Sequence, residues 1–486
     1  MTDHERAFFD QVIAADRCSS GGSAGVALSG RCCGLLSRSL APAPPLRLLR
    51  GFELNALCPI FEYRFLRRQG PIYAIRSVHG ALLREALRES EDGPPPVFFV
   101  GSFRIKASPS FFMPGRDVDL VVIGAGLSGC AFVAALRSKG WGGTIQIVEA
   151  GRGPGGRSAT RRRRDDPLWR LDHGTPTLSF QAEPRGRLRE LMTSLERRGV
   201  VREDHDPVVG LNHLGALVAP PEHPLLRGPR WRGIPTMATV VETLLSDGAN
   251  SVDVCFGERI QTLSRVDERW VFPGGLRAGG LVLSGTLLAH PRSLAMLGWR
   301  DVPLREAVPE GHDAVLDQAL AWIAGLNASI RWNLMLEFPG MDPDPLPRQI
   351  WLTPRAQQQF GVERIVLQRQ QQGRLGLVMH GLDDGALITP ETQPQLLIVQ
   401  EQRLLSVLPE LLRPWPSLQR MLSSARSLGV MRWGAAQPLG EGMPKALQWC
   451  QQARVGFCGD WIAGSGFGMA EGAIQSGLDL ADLIAF

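Results

Sequence analysis

The chain has 486 residues, of which 44% are hydrophobic, so it is long enough for two or three folded domains and too apolar for a disordered polypeptide. Its net charge of +5 is small for this length and does not by itself indicate a nucleic-acid partner. The sequence contains no apolar run of the roughly 18 residues that a transmembrane helix needs, and no secretory signal, so we predict a cytoplasmic protein without a membrane span.

The cysteines point to the same compartment. Eight are present, and none of them has the CxxC spacing of a zinc site or of a redox pair. We therefore predict no metal site and no disulfide framework, which fits a reducing compartment.

Residues 1–112 contain no motif that indicates chemistry. The runs Ala41–Pro45 (APAPP) and Glu89–Pro96 (ESEDGPPP) are typical of linkers, whereas Pro96–Val100 (PVFFV) is apolar enough to belong to a packed unit. Three interpretations stay open: an appendage, a stretch upstream of a natural start at Met113, or a small regulatory domain.

A glycine-rich turn follows the first strong strand signal. Asp117–Ile123 (DVDLVVI) has the length and apolarity of a buried strand, and the pattern beyond Leu127 predicts a helix to Lys139. Between them, three glycines have the GxGxxG spacing that permits a tight turn, a close approach of a diphosphate and close helix packing. We predict that the dinucleotide diphosphate lies on Gly124, Ala125, Gly126, Leu127, Ser128 and Gly129.

An acidic residue stands where this type of fold recognises ribose. The predicted strand Thr144–Val148 leads directly to Glu149 and Ala150, and Glu149 lies 20 residues after Gly129. A carboxylate at this point accepts hydrogen bonds from ribose hydroxyls and disfavours a 2′-phosphate. The residues alone therefore predict either FAD or NAD(H).

The other end of the chain has a second nucleotide-binding pattern. Val455–Gly477 (VGFCGDWIAGSGFGMAEGAIQSG) contains a short strand, a Gly-Asp pair, a glycine-rich loop and then an amphipathic helix predicted over Met469–Phe486. The N-terminus of such a helix stabilises negative charge. Two such motifs at opposite ends favour one long dinucleotide, FAD, and the loop lacks a cysteine that could attach it covalently.

Two segments after the ribose acid are specific enough to resemble a known family. Gly151–Thr160 (GRGPGGRSAT) is followed by Arg161–Arg164 and by Leu171–Gly174 (LDHG). With the closing motif, these segments resemble the renalase-like FAD-dependent oxidoreductases of the flavin amine-oxidase superfamily, whose pattern is GGRxATRR followed by DHGAQ. Thr175 and Pro176 replace the Ala-Gln pair of that pattern.

The resemblance, which covers roughly residues 117–486, implies the fold and the cofactor. It implies an α/β fold with a Rossmann-type, GR2-like FAD-binding domain, an α+β substrate domain with an antiparallel sheet, and FAD that is bound non-covalently. The implied domains are 113–180, 234–295 and 445–486 for FAD, and 181–233 with 296–444 for the substrate. The implied cofactor-binding residues beyond those named above are Gly156, Arg157, Asp172, His173, Gly174, Ile260, Gly459, Asp460, Glu471, Gly472 and Ala473.

The resemblance also assigns particular roles to several of these residues. Arg157 is expected to pair with phosphate oxygens, and Asp460 to meet the ribityl chain. Part of the active-site wall is expected to come from Arg432 and Trp433 with Ala436, Gln437 and Pro438. Trp433 is equally consistent with a core position and a flavin-facing one. The run Arg161–Arg164 is equally consistent with a solvated loop and with a surface that steers an anionic dinucleotide.

Further elements follow from the hydrophobic pattern and the family comparison. We predict helices at Arg185–Gly199, Ile234–Leu245 and Pro394–Leu412. We predict strands at Ser251–Phe256, Glu258–Leu263, Arg269–Phe272 and Gly280–Leu288, and an antiparallel substrate-domain sheet from Arg300 to about Gly381.

The sequence does not identify catalytic residues, and three functions stay open. The first is a renalase-like oxidase that takes hydride from a dihydronicotinamide dinucleotide onto flavin N5 and passes electrons to oxygen. The second is an oxidase or dehydrogenase of a small amine or another C–H donor. The third is a flavin-binding protein without turnover. Both tyrosines lie before residue 112, and neither Lys139 nor Lys445 is placed like the lysine of amine oxidases, so amine oxidation is the weaker of the two enzyme hypotheses.

Overall fold

The computed structural model describes residues 62–66, 73–77, 116–166, 168–248, 252–340, 345–386 and 388–484. The chain divides into two compact units, residues 1–105 and 106–486. In the first unit, the described part is an antiparallel pair of strands, Glu62–Leu66 (β1) and Tyr73–Ser77 (β2). The two linker-like runs, the apolar run Pro96–Val100 and Met113 lie outside the described residues.

The second unit contains the remaining strands and all the described helices. The strands are Asp117–Ile123 (β3), Ile145–Glu149 (β4), Thr160–Arg162 (β5), Arg170–Asp172 (β6), Leu178–Ser179 (β7), Val201–Glu203 (β8), Val208–Leu211 (β9), Leu217–Val218 (β10), Arg230–Gly233 (β11), Val252–Phe256 (β12), Ser264–Val266 (β13), Arg269–Val271 (β14), Arg277–Leu283 (β15), Asn327–Phe338 (β16), Gln349–Leu352 (β17), Val362–Arg369 (β18), Leu375–Leu382 (β19), Arg426–Leu439 (β20), Trp449–Cys450 (β21) and Val455–Phe457 (β22). The α-helices are Leu127–Ser138 (α1), Gly186–Arg197 (α2), Pro224–Arg227 (α3), Met237–Asp247 (α4), Leu294–Leu297 (α5), Pro303–Ala307 (α6), Ala314–Gly325 (α7), Pro354–Phe360 (α8), Gln393–Leu411 (α9), Pro416–Arg420 (α10) and Ala470–Leu483 (α11).

The two predicted nucleotide motifs lie on one sheet. Its strands run in the order β12-β4-β3-β15-β14-β13, and β22 pairs with β15 on a branch of this sheet. The strands β12, β4, β3, β15 and β22 are mutually parallel neighbours. A parallel sheet needs cover on both faces, which explains why the consecutive residues Leu120, Val121 and Val122 of β3 are all buried. The carboxyl ends of β3 and β22 therefore lie at the same edge of the sheet.

Helices bury both faces of this sheet. On one face, α1, α4 and α11 pack with α2 around a cluster that includes Leu120, Phe132 and Ile474. On the other face, α7 and α6 contribute Leu316, Ile323 and Leu304 to a second cluster with strand residues of β15 and β22. Residues 186–197 and 303–325, which were expected in the substrate domain, thus pack on the nucleotide-binding sheet.

The second large sheet is mixed and lies in the order β10-β9-β17-β18-β19-β16-β20. Its central pairs β17-β18, β18-β19, β19-β16 and β16-β20 are antiparallel. One face carries Trp332, Leu334, Ile365 and Met379, which pack against Leu404 of α9. The opposite face is free to carry polar groups, and these line the cavity described below.

Several predicted boundaries were wrong. Glu258–Leu263 is not a strand; the backbone N–H of Glu258 donates to the carbonyl of Glu149, and the chain then leaves the sheet. The predicted strand Gly280–Leu288 ends at Leu283, because the chain turns where Ser284 bonds back to β3. The predicted helix at Ile234 begins only at Met237, after a cis Ile234–Pro235 bond. Between Arg300 and Gly325 the chain forms helices instead of sheet.

Candidate functional site

One cavity of about 950 Å³ is lined both by the edge of the nucleotide-binding sheet and by the polar face of the second sheet. It begins at the glycine-rich turn, passes the N-terminus of α11 and ends among side chains of β16, β18, β19 and β20. Both predicted nucleotide motifs therefore contribute to one cavity, as their pairing in the sequence indicated.

The predicted cofactor residues fall into two groups. Seven of them do not line the cavity but stand behind its wall: Ala125, Gly129, Asp172, His173, Gly459, Glu471 and Gly472. The others lie on the wall: Gly124, Gly126, Leu127, Ser128, Glu149, Ala150, Gly156, Arg157, Gly174, Ile260, Asp460 and Ala473. Their roles toward FAD stay predictions.

The three glycines of the first turn serve different purposes. Gly124 has a φ of +103°, and a Cβ on it would lie 2.3 Å from Ser284 Oγ. A Cβ on Gly129 would lie 2.4 Å from the carbonyl oxygen of Gly124, so glycine is needed there for helix packing. A Cβ on Gly126, in contrast, would meet no described atom within 4 Å and would project into open space. The protein itself does not require a glycine at Gly126, which leaves room for a ligand.

Two helices present uncapped N-termini to the cavity. No described side chain caps α1 at Gly126 or α11 at Met469, and both residues lie on the cavity wall. Free N–H groups at a helix start carry partial positive charge and bind anions. The cavity therefore offers two favourable positions for phosphate or for a negatively charged ring edge.

Glu149 closes the turn as well as facing the cavity. Its Oε2 accepts a hydrogen bond of 2.8 Å from the N–H of Ala125, and its Oε1 accepts one of 2.5 Å from the N–H of Gly151. Each carboxylate oxygen has two lone pairs, so the remaining ones can accept hydrogen bonds from ribose hydroxyls.

Arg157 and Asp460 connect the first nucleotide-binding motif with the closing motif. Nη1 of Arg157 lies 2.7 Å from Oδ2 of Asp460, and Nη2 lies 2.5 Å from Oδ1, a bidentate pair. Nη1 also donates to the carbonyl of Ala436 on β20, at 3.0 Å. Burial alone would lower the pKa of Arg157, but the adjacent Asp460 carboxylate raises it. The pair lies on the cavity wall and joins the segment after the ribose acid to the closing motif.

Arg292 is a cavity cation that the sequence analysis missed. It follows Pro291 on a short 3₁₀ turn, and its guanidinium donates to Thr286 Oγ1. Burial and the positive charge of Arg157 lower its pKa, so the two cations lie close enough to repel each other. Both guanidinium-bearing residues line the cavity. No local motif surrounds Arg292, so only the folded structure identifies it.

The DHG segment is largely structural. Asp172 is buried; its Oδ1 accepts hydrogen bonds from Thr160 Oγ1 at 2.6 Å and from the N–H of Met237 at 3.1 Å. Burial raises the pKa of Asp172 to about 6. The imidazole of His173 stacks on Trp433 at 5.6 Å, and burial, aided by the charge of Arg161, lowers its pKa to about 4. Both side chains support the wall from behind.

The closing motif is held by its own buried carboxylate. Glu471 accepts hydrogen bonds from Ser465 Oγ at 2.6 Å and from the N–H of Gln181 at 2.7 Å, and so ties the glycine-rich loop to α11 and to the segment after β7. Met469, Ala470 and Ala473 present the first turn of α11 to the cavity. Cys458 is buried, which raises the pKa of its thiol to about 12.

The predicted wall segment Arg432–Pro438 forms one side of the cavity. It belongs to β20 and pairs with β16 across two irregular positions. Trp433 lines the cavity, and its indole Nε1 is buried without a described partner. An indole N–H normally finds an acceptor when buried. Trp433 thus lies at the cavity and not wholly within the core, and its contact with a flavin stays a prediction.

The far end of the cavity contains charged residues that no sequence motif predicted. Arg331, Glu363 and Arg364 line it together with His380 and Asn333, and all five come from β16, β18 and β19. Nη2 of Arg331 lies 2.5 Å from Oε1 of Glu363. Consecutive residues reach the same cavity because Glu363 is the extra residue of a bulge between Val362 and Arg364.

The arginine run and the two lysines mainly pair with acidic side chains. Arg162 pairs with Glu242, and Arg163 pairs with Asp165 and Glu337. Lys139 pairs with Asp482, and Lys445 with Asp479. None of these basic residues lines the cavity, nor do Arg161 and Arg164.

The described residues contain no helix that is long and apolar enough to cross a bilayer. Among the same residues, no group of three His, Cys, Asp or Glu side chains could hold a metal ion.

Comparisons with known proteins agree with this architecture. Residues 122–195 match a family model described as an NAD(P)-binding Rossmann-like domain. No curated protein matches the chain. The structure is similar to that of putrescine oxidase bound to putrescine, with a TM-score of 0.50 and 15% identity over 77% of this chain and 100% of that one. It is also similar to cyclohexylamine oxidase from Brevibacterium oxydans, with a TM-score of 0.51 and 16% identity over 76% of this chain and 98% of that one. The second unit therefore has a Rossmann-type nucleotide-binding domain within a fold similar to those of putrescine oxidase and cyclohexylamine oxidase.

Proposed function

We propose that this protein is an oxidoreductase that binds FAD non-covalently and takes hydride from a small donor. The observation that carries the proposal is the single cavity, which has a glycine turn, a ribose acid and two uncapped helix starts at one end and a polar sheet face at the other. FAD, when bound, supplies the hydride acceptor and the later transfer of electrons to oxygen.

Particular residues on the cavity wall suit particular parts of such a cofactor. Gly126 leaves space for the diphosphate, Glu149 can accept from the ribose, and Arg157 with Arg292 can offset phosphate charge. The start of α11 lies at the cavity and could stabilise negative charge on a reduced ring. The open position at Gly126 and the buried cations make the cavity suitable for a phosphate-bearing cofactor.

The protein contributes position and electrostatics and holds no obvious proton carrier. Among the described residues, no lysine or tyrosine lines the cavity, and the only histidine there is His380. Burial lowers the pKa of His380 well below its usual range, so its imidazole is neutral at pH 7. We infer that hydride transfer needs orientation of the donor and exclusion of water, both supplied by the second sheet.

Two donors remain candidates. A dihydronicotinamide dinucleotide, the renalase-like donor, is supported by the surplus of guanidinium groups at the far end of the cavity. A small amine is supported by the similarity of fold to putrescine oxidase and cyclohexylamine oxidase. We favour the first, because a cationic amine would have to enter among Arg331, Arg364 and Arg432.

Purification and anaerobic mixing test the proposal. The full chain should be yellow and should release FAD when denatured, and a dihydronicotinamide dinucleotide should bleach the flavin more effectively than putrescine or cyclohexylamine. Admission of oxygen should restore the colour with formation of hydrogen peroxide. Protein that takes up no FAD on reconstitution would refute the proposal, and flavin that stays with acid-precipitated protein would refute non-covalent binding.

A further inference from the structure

The far end of the cavity has an unusual electrostatic arrangement. Three guanidinium groups line it, those of Arg331, Arg364 and Arg432, against the two carboxylates of Glu363 and Asp383. Arg364 and His380 are more than nine-tenths buried, as are Glu363 and Asn333. Buried charges normally have partners, because their desolvation is costly.

The sheet itself places these groups together. In the strand register, Trp351 lies opposite Arg364, Arg364 opposite His380, and His380 opposite Asn333. Directly opposite residues project to the same face of a sheet, so this row crosses four adjacent strands on the cavity side. The arrangement is rigid because the other face of these strands packs into the core beneath α9.

Arg364 is the member of this row without an adequate partner. Its nearest described carboxylate oxygen, Oε2 of Glu363, is 3.9 Å from its Nε, whereas Glu363 makes a direct 2.5 Å contact with Arg331. The Nε of Arg364 is buried and has no hydrogen-bond partner among the described residues. The guanidinium lies over the ring of Trp351 at 4.7 Å, which fixes its plane without neutralising it.

Neutral polar atoms beside Arg364 are unsatisfied too. Nε2 of His380 and Oδ1 of Asn333 are buried without described partners, and both residues line the same cavity. Burial by itself raises the pKa of Glu363, but the charges of Arg364 and Arg331 outweigh this and lower it to about 2. The Glu363 carboxylate is thus ionised and shared between Arg331 and Arg364, so one of the two positive charges stays uncompensated by it.

We propose that this end of the cavity is an anion subsite in which Arg364 pairs with a carboxylate or phosphate group of the electron donor. Arg331 and His380 lie beside the same position, and Arg331 is held in place by Glu363. The identification of the anion's carrier as a donor rests on the proposed function; the subsite itself does not. A planar guanidinium forms two parallel hydrogen bonds to either anion, which is the shared chemistry.

The subsite can be tested on the full-length protein as purified. Acetate and inorganic phosphate are titrated separately by calorimetry, with chloride at the same ionic strength as the reference. We expect at least one of the two anions to bind, and to raise the melting temperature more than chloride does. Acetate binding alone would indicate a carboxylate donor, and phosphate binding alone a phosphate-bearing one.

Variants then assign the binding to Arg364. Arg364→Met should lower the affinity for the anion by at least about tenfold, because a charge-assisted pair is lost. Arg426→Met is the matched control, since Arg426 lies exposed on β20 of the same sheet and away from the cavity. Arg364→Gln is the second variant, in case the first does not fold. A parent protein that binds neither anion beyond chloride, or a variant that binds as the parent does, would overturn the subsite.

A donor pair separates this inference from the proposed function. NADH and N-benzyl dihydronicotinamide share the hydride-donating ring, but only NADH carries phosphates. NADH should bleach the flavin at lower concentration in the parent protein, and Arg364→Met should remove that advantage. Equal use of both donors by a parent protein that binds phosphate would contradict the anion subsite. Colourless protein that still binds acetate or phosphate would contradict only the flavin proposal.

Discussion

The two ends of the cavity differ in how their chemistry is encoded. At the nucleotide end, the functional groups come from short continuous segments, such as the turn from Gly124 to Gly129 and the loop that precedes α11. At the sheet end, the buried charges come one or two at a time from β16, β18 and β19. A phosphate cradle can be built from consecutive backbone N–H groups, whereas a side-chain subsite needs residues that strands bring together from distant positions.

This difference explains what the sequence could predict. Strand β3, helix α1 and Glu149 follow one another with a spacing that the dinucleotide chemistry imposes, and the sequence analysis found all three. Arg364 and His380 are 16 residues apart, and only the register of β18 with β19 places them side by side. Gly361 ends α8 and does not by itself predict a bulge at Glu363, so a strict alternation would have turned Glu363 away from Arg364.

The errors in predicted elements have related causes. Glu258–Leu263 has apolar residues at Ile260 and Leu263, but both are buried in the second core cluster without belonging to a strand. Residues after Leu283 are apolar enough for a continued strand, yet Ser284 caps β3 by donating to the carbonyls of Ile123 and Gly124, both at 3.0 Å. In both cases tertiary contacts override the local pattern.

The largest expected effect tests the pair that joins both nucleotide motifs. Arg157→Met leaves Asp460, which is 4% exposed, without its partner, and we expect a loss of about 3–5 kcal/mol in the free energy of unfolding. Urea denaturation measures it. Arg198→Met, which removes the more exposed pair with Asp247, is the control and should cost at most about 1 kcal/mol. Equal losses in the two variants would show that the Arg157–Asp460 pair does not hold the motifs together.

A pH-dependent effect tests whether the DHG segment is structural. Burial raises the pKa of Asp172 from 3.8 to about 6, so the folded state favours the protonated acid. The stability that protonation provides is present below 3.8 and is lost as the pH rises through about 6. Asp172→Asn, which cannot ionise, should therefore be more stable than the parent by up to about 3 kcal/mol at about pH 8, and the gain should shrink toward about pH 4.

The free energy of unfolding, measured for the parent and for Asp172→Asn at about pH 8 and about pH 4, tests this prediction. In the parent, Oδ1 of Asp172 accepts from Thr160 and from the N–H of Met237, and the amide oxygen of the variant can accept the same hydrogen bonds. The comparison therefore isolates the charge of the side chain. A gain that does not change with pH would mean that ionisation of Asp172 is not what destabilises the parent.

A smaller effect is expected at the ribose acid. Glu149→Ala should weaken FAD binding by about 1–3 kcal/mol, because charge-assisted hydrogen bonds to the ribose are lost. The turn contributes to this loss as well, since Glu149 also accepts from the N–H groups of Ala125 and Gly151. Glu149→Gln keeps an acceptor for one of these two N–H groups and should therefore lose less FAD affinity than Glu149→Ala. An FAD dissociation constant that is unchanged in Glu149→Ala would show that Glu149 serves the turn alone.

The smallest effect is expected from removal of residues 1–112. A chain that begins at Met113 should fold, bind FAD and melt within a few degrees of the full-length protein. The division of the chain between residues 105 and 106 supports this, and both ends of the cavity are built from residues after 122. A unit of about 370 residues is large enough for a nucleotide-binding domain and a substrate domain. Flavin content and melting temperature, measured on both proteins, provide the comparison. Insoluble or colourless shortened protein would mean that the fold requires residues before Met113. The residues that follow Met113 would then not be sufficient to form the cavity.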